Sequence, residues 1–319
     1  MKKPKVLVLS QIWPSVFQTL CREFSVLQYD PSTDKHIFLK ENGADARAVI
    51  INGNDTLGAA ELQFLPQLEI VACTTAGFEM LDVETLKQRN IAFTNASQAL
   101  TDEVADTAVM LLLATGKELI LADSYVRNGD WGRKGAYPLL SSLKGKRVGI
   151  FGLGMIGLEI AARLRPMKTE IGYCTRHPKP VDYHYFQNVK SLAEWSDILV
   201  VAIPGGAETT AIIDQNVLNR LGPQGRLINI ARGSVVDETA LIDCLTSGTL
   251  GAAGLDVFLN EPDPDPALTS LANVVVYPHH ASGTAETRCA MSQLAMDNLV
   301  AHFSDASLLS PIITRGVAL

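Results

Sequence analysis

The chain has 319 residues, enough for two domains with separate cores. Hydrophobic residues make up 47% and charged residues 19%, which excludes a disordered or fibrous protein. A formal net charge of −7 excludes a broad nucleic-acid surface, and five scattered cysteines without C-x-x-C spacing exclude a cysteine metal site and predict reduced thiols in a cytoplasmic protein.

The N-terminal "MKKPKVLVLSQ" holds a four-residue apolar run, too short for a signal-peptide core, and predicts a first strand. "KVLVLS", "AVIING", "LEIVACT" and "IAFTN" then alternate with helical segments, the pattern of a parallel sheet with crossover helices, over a first domain of about 100 residues. At "SQALTDEVADTAVMLLLATGKELILADSYVRNG" the period becomes helical. Thr101 is the expected N-cap and Asn128-Gly129 the expected stop, giving one long helix or two broken near Gly116. Apolar residues nearly surround this segment, which predicts burial in its own core or against another subunit. Its run "AVMLLLA" is far below the roughly 18 residues of a membrane span.

A second series follows: "KRVGIFG", "EIGYCT", "DILVVAIP", "GRLINIA", "LGAAGLDVF" and "NVVVYP". Near-continuous Val, Ile and Leu in short runs predict parallel strands covered on both faces, a doubly wound domain. A last helix, Thr284 to Phe303, carries Met291, Leu294, Ala295, Leu299 and Phe303 at helical spacing.

"GLGMIG" places Gly152, Gly154 and Gly157 as G-x-G-x-x-G between the strand "RVGIF" and a helix. The first glycine permits a tight turn, the second close approach of a pyrophosphate, and the third close helix–strand packing. In an NAD site an acidic residue ends the second strand and binds the ribose hydroxyls. Here that strand ends Cys174-Thr175, with Arg176, His177 and Lys179 beyond. A hydroxyl and a positive fork suit a 2′-phosphate, so NADP is the expected cofactor, with NAD possible.

In open parallel sheets ligands bind beyond the carboxyl ends of strands. Arg232 follows "GRLINIA", Glu261 lies four residues after Val257, and His279 and His280 follow "NVVVYP". Reduction of a 2-oxo acid needs a cation to grip the carboxylate and an acid to protonate the ketone oxygen. Arg232 suits the first role and a histidine the second, with Glu261 favouring the imidazolium; spacing leaves His279 and His280 both open.

"GLGMIG", "NIARGSVVDETAL", "GLDVFLNEP" and "PHHASGTAETR", in this order, resemble the D-isomer-specific 2-hydroxyacid dehydrogenases, nearest their NADPH-dependent glyoxylate/hydroxypyruvate and hydroxyphenylpyruvate reductases. The resemblance spans essentially the whole chain. It implies an α/β protein of two domains with parallel sheets: a doubly wound Rossmann cofactor domain (100–286) inserted in a flavodoxin-like substrate domain (1–99 and 287–319). It implies that Arg232 binds the substrate carboxylate and carbonyl, that Glu261 pairs with the acid, and that His279 is that acid. Amides around Thr75, Ala76 and Gly77 would hold the substrate carboxylate. Thr107, Met155, Ile156, Ile203, Pro204, Ile230, Ala231, Asp256 and Ala281 would line the cofactor, Asp256 at the nicotinamide amide. It further implies a homodimer acting on a small 2-oxo or 2-hydroxy acid.

Two departures stand out. "IPGGAET" replaces the family's "C-P-L-T-P-E-T", and His280 replaces an apolar residue. Two rival readings of the residues are a nucleotide-sensing module on the same fold and a dehydrogenase that oxidises another small anion, such as formate or phosphite. Retention of Arg232, Glu261 and His279 together speaks against the sensor, which needs no acid.

Overall fold

The computed structural model describes residues 3–314, and its chain divides into two compact units. One comprises residues up to Leu100 and from Ser282 onward, the other Thr101–Ala281. The return to the first unit thus falls at Ser282, earlier than the 287 expected from resemblance.

The first five strands are β1 (Lys5–Val8), β2 (Ser25–Gln28), β3 (Ala46–Ile51), β4 (Ile70–Cys73) and β5 (Ala92–Thr94). The next seven are β6 (Arg147–Phe151), β7 (Glu170–Cys174), β8 (His184–Phe186), β9 (Ile198–Val201), β10 (Arg226–Asn229), β11 (Ala252–Leu255) and β12 (Val274–Val276). Last comes β13 (Pro311–Ile313).

In the first unit the order is β13-β5-β4-β3-β1-β2. Its five parallel strands follow the flavodoxin-like 2-1-3-4-5 arrangement, and β13 joins antiparallel to β5. Alternate residues explain the continuous apolar runs. Val6, Val8, Ile50 and Ala72 pack with Leu20 and Leu299 on one face, while Leu7, Val49, Ile51 and Val71 pack with Leu39 and Leu62 on the other.

The second unit is a parallel sheet of order β12-β11-β10-β9-β6-β7-β8. Counted from β6 this is the doubly wound 3-2-1-4-5-6 order with one added strand. Its switch point lies between β6 and β9, and the glycine motif follows β6. On one face Leu199, Val201, Leu227 and Leu255 pack with Leu192, Val217 and Leu241. On the other, the Ser97–Gly116 helix comes so near β11 that a Cβ on Gly254 would lie 3.1 Å from Leu111 Cβ. Arg163, on the Met155–Leu164 helix, grips Asp102 at 2.8 Å and Asp106 at 2.6 Å on that same helix.

The expected N-cap is corrected. Thr101 is buried inside the Ser97–Gly116 helix, because Asn95 at the end of β5 already turns the chain and accepts the Ser97 amide at 3.4 Å. The break near Gly116 is present: Glu118, at φ 48°, separates this helix from the Leu119–Arg127 helix. That second helix ends at Asn128, followed by left-handed Gly129. It contains no buried residue, so burial within the chain's own core covers only the first part of the segment.

Candidate active site

The nucleotide end of the second unit is built by backbone contact. Gly152 has φ +102°, and a Cβ there would lie 2.4 Å from the Ala202 carbonyl oxygen. A Cβ on Gly157 would lie 2.1 Å from the Gly152 carbonyl oxygen, so both positions exclude any side chain. Gly154 differs. It is the N-cap of the Met155–Leu164 helix, and a Cβ on it would meet nothing within 4 Å. The protein itself does not demand glycine there, which fits a ligand approaching the backbone at a helix N-terminus. Met155 is exposed at the first helical position, Ile156 is half-buried beside it, and Ile203 packs against Gly152.

Beyond β7 the Thr175 hydroxyl donates to the His177 carbonyl at 2.7 Å, curling the turn back on itself. The Tyr173 hydroxyl accepts the Lys179 amide at 2.8 Å and fixes the turn's far end. Arg176, His177 and Lys179 are exposed, and β7 itself ends without a carboxylate. Pro204 is exposed beyond β9.

At the ends of β10, β11 and β12 the predicted chemical residues converge. His279 Nδ1 lies 2.5 Å from Glu261 Oε2, and Glu261 Oε1 accepts the Phe258 amide at 2.9 Å. Burial pushes the Glu261 carboxyl up. Hydrogen bonds from the His279 ring and the Phe258 amide, with the charges of His279 and Arg232, outweigh it and hold the carboxyl below its ordinary 4.5. An ionised carboxylate carries no proton, so Nδ1 donates and Nε2 is left as the nitrogen that can exchange a proton with a ligand. His280 instead is exposed, with its ring against Tyr277. The choice that spacing left open is resolved for the contact with Glu261: His279 makes it.

His279 sits at φ +48°, a left-handed conformation rare for a side chain of this size. Asp256 holds it there. Its carbonyl accepts the His279 amide at 2.7 Å, and its buried carboxylate accepts the His280 and Ala281 amides at 2.8 and 3.2 Å. Thr107 adds a bond from its hydroxyl to the Ala281 carbonyl at 3.2 Å. Gly233 brings the Arg232 turn against the next strand's exit, since a Cβ on it would lie 1.9 Å from the Phe258 carbonyl carbon.

The Glu261 carboxyl gives a pH prediction. Its folded-state pKa lies below the unfolded one, so ionisation favours the folded state at neutral pH, and this contribution is lost as pH falls through the folded value. The stability advantage of the wild type over Glu261→Gln therefore shrinks on acidification from about pH 7 to about pH 4. Thermal melts of both proteins across that range check it; an advantage that grows toward acid contradicts it.

Thr75, Ala76 and Gly77 lie in the first unit, beyond β4. Their carbonyls are taken: Thr75 by the Ala96 amide at 3.0 Å, Ala76 by the Asn95 side chain at 2.9 Å, and Gly77 by the Thr75 hydroxyl at 2.8 Å. Among the described residues the Ala76 and Gly77 amides meet no acceptor, while the Thr75 amide is turned to the Cys73 thiol. Two successive free N–H groups suit an anion.

Sequence reading missed Asn229, the buried residue that ends β10. A lone amide closing the apolar run "RLIN" was the available signal. Also unforeseen was Phe258, whose amide holds Glu261.

A Rossmann sheet with a glycine cradle and an Arg, Glu and His at its carboxyl rim is the form of a nicotinamide-nucleotide oxidoreductase. Residues 109–281 match the family model "D-isomer specific 2-hydroxyacid dehydrogenase, NAD binding domain", and the chain belongs to the D-isomer specific 2-hydroxyacid dehydrogenase family. It is 42% identical over 309 residues to hydroxyphenylpyruvate reductase of Plectranthus scutellarioides, covering 97% of this chain and 98% of the relative. It is 44% identical over 293 residues to an Arabidopsis thaliana glyoxylate/hydroxypyruvate reductase, covering 92% and 93%. The NADPH-dependent glyoxylate/hydroxypyruvate reductase of Sinorhizobium meliloti, solved with NADP and malonate, superposes with a TM-score of 0.90 at 40% identity over 100% of both chains.

Proposed function

We propose that this protein reduces small 2-oxo acids to D-2-hydroxy acids with NADPH, acting on glyoxylate, hydroxypyruvate or an arylpyruvate such as hydroxyphenylpyruvate. The observation that carries the reading is the His279–Glu261 pair at 2.5 Å, on the rim that also presents Arg232. Gly152, Gly154, Gly157, Met155, Ile156, Ile203, Pro204, Ile230, Ala231 and Ala281 line the cofactor. Thr175, Arg176 and His177 take its 2′-phosphate, while Asp256 and Thr107 lie at the nicotinamide end. When bound, the reduced nicotinamide supplies a hydride to the ketone carbon. Arg232 grips the substrate carboxylate and polarises the carbonyl. His279, oriented through Nδ1 by Glu261, gives its Nε2 proton to the ketone oxygen. Together the roles divide the chain into a substrate domain, the first unit, and a cofactor domain, the second.

Product handedness tests the reaction class. With NADPH and hydroxypyruvate, chiral chromatography yields D-glycerate alone; L-glycerate or a racemate contradicts the reading.

The protein acts as a cytoplasmic homodimer. Among the described residues no helix is long and apolar enough to cross a membrane. Within the stretch 119–140, Leu119, Ile120, Val126, Trp131 and Leu139 are all more than half exposed, apolar side chains that burial against a second copy would take out of water. Trp131→Glu accordingly shifts the protein from dimer to monomer in light scattering; an unchanged dimer mass removes Trp131 from the contact.

A further inference from the structure

We propose that Asn229 is a positioning residue that sets where the Arg232 guanidinium lies. The inference rests on the proposed role of Arg232 and adds the residue through which that role is enforced.

Asn229 is 1% exposed, and both polar atoms of its side-chain amide are hydrogen-bonded. Oδ1 accepts the Ala231 amide at 3.0 Å, and Nδ2 donates to the Arg232 carbonyl at 3.0 Å. These two bonds bracket the Ala231–Arg232 peptide from both sides. The carbonyl between them, that of Ala231, accepts Arg232 Nη1 at 2.7 Å. Fixing the peptide therefore fixes the anchor of the guanidinium. The Asn229 main chain ties this turn to the acid, because its carbonyl accepts the Asp256 amide at 2.9 Å and the Asp256 carbonyl accepts the His279 amide at 2.7 Å. Arg232 and His279 are thus referenced to one another through two adjacent strand ends. Neither leucine nor aspartate reproduces the Asn229 side chain: the first offers no polar atom and the second, ionised, no donor. Asn229 need touch neither substrate nor cofactor to matter, since a misplacement of about 1 Å in a reacting group costs on the order of 100-fold in rate.

Asn229→Asp keeps the acceptor for Ala231 and removes the donor to Arg232. Its kcat/KM for hydroxypyruvate falls about 10- to 100-fold at neutral pH, while the affinity for NADPH, read by fluorescence titration, stays as in the wild type. Protonation of the introduced carboxyl restores a donor, so the deficit relative to wild type narrows as pH falls. In an Arg232→Ala background the same substitution has little further effect, because the group it positions is gone. Asn229→Ser, which removes the reach of both bonds without adding charge, gives the same loss and serves if the aspartate variant does not fold. Wild-type kcat/KM in both Asn229 variants overturns the proposal, as does a loss that adds in full to that of Arg232→Ala. Unchanged turnover in Arg232→Ala itself overturns the role of Arg232, and this inference with it; a loss there with intact Asn229 variants overturns this inference alone.

Discussion

Replacing His279 by alanine lowers kcat for hydroxypyruvate about 10²- to 10⁴-fold, the usual contribution of a positioned general acid, while NADPH binds as before. The expectation follows from the pair geometry. Glu261, held ionised by the Phe258 amide and the neighbouring positive charges, fixes Nδ1 at 2.5 Å and leaves Nε2 for the substrate. Asp256 locks the left-handed main chain that carries the ring. His280→Ala leaves most of the turnover, because its ring lies on Tyr277 and has no contact with Glu261 among the described residues. Parallel steady-state kinetics with a fluorescence titration of NADPH separates turnover from binding. A large fall in kcat for His280→Ala, with His279→Ala near wild type, would reverse the assignment.

Arg176→Asp weakens NADPH about 10- to 100-fold and leaves NADH nearly unchanged. Loss of one charge-assisted hydrogen bond is worth about 1.5–3 kcal/mol, and a carboxylate beside a 2′-phosphate adds repulsion. The site tolerates the change structurally: Arg176 is exposed, and the turn is held by Thr175 and Tyr173 rather than by the arginine. Dissociation constants for both nucleotides check this. Equal weakening of NADPH and NADH removes the phosphate-site reading of "YCTRHPKP".

The long apolar runs were legible because strands covered on both faces spell continuous Val, Ile and Leu, as in β3, β4 and β9. Three strands were not. β2, β8 and β13 are edge strands of three or four residues, half-buried at most, so "SVLQ", "HYF" and "PII" carry no such signal. The helix starts earlier than expected for a related reason: Thr101 is a good cap by type, but Asn95 turns the chain and the helix already begins at Ser97, four residues before it. At the site, Gly152, Arg232 and His279 could be read because a strand-end position limits what a residue can do. The pairing of Glu261 with His279 spans 18 residues of loop and strand, and only a three-dimensional arrangement selects it over His280. Asn229 stayed silent because its partners are main-chain atoms, which sequence does not distinguish.

The most direct test of the central claim is kcat/KM for glyoxylate, hydroxypyruvate and hydroxyphenylpyruvate, each measured with NADPH and with NADH at matched concentrations. Turnover of at least one of these acids, with NADPH favoured over NADH, is the predicted result. Absence of turnover with either nucleotide, in protein shown by titration to bind NADPH, would contradict the assignment and leave a nucleotide-binding protein that does not carry out this reduction.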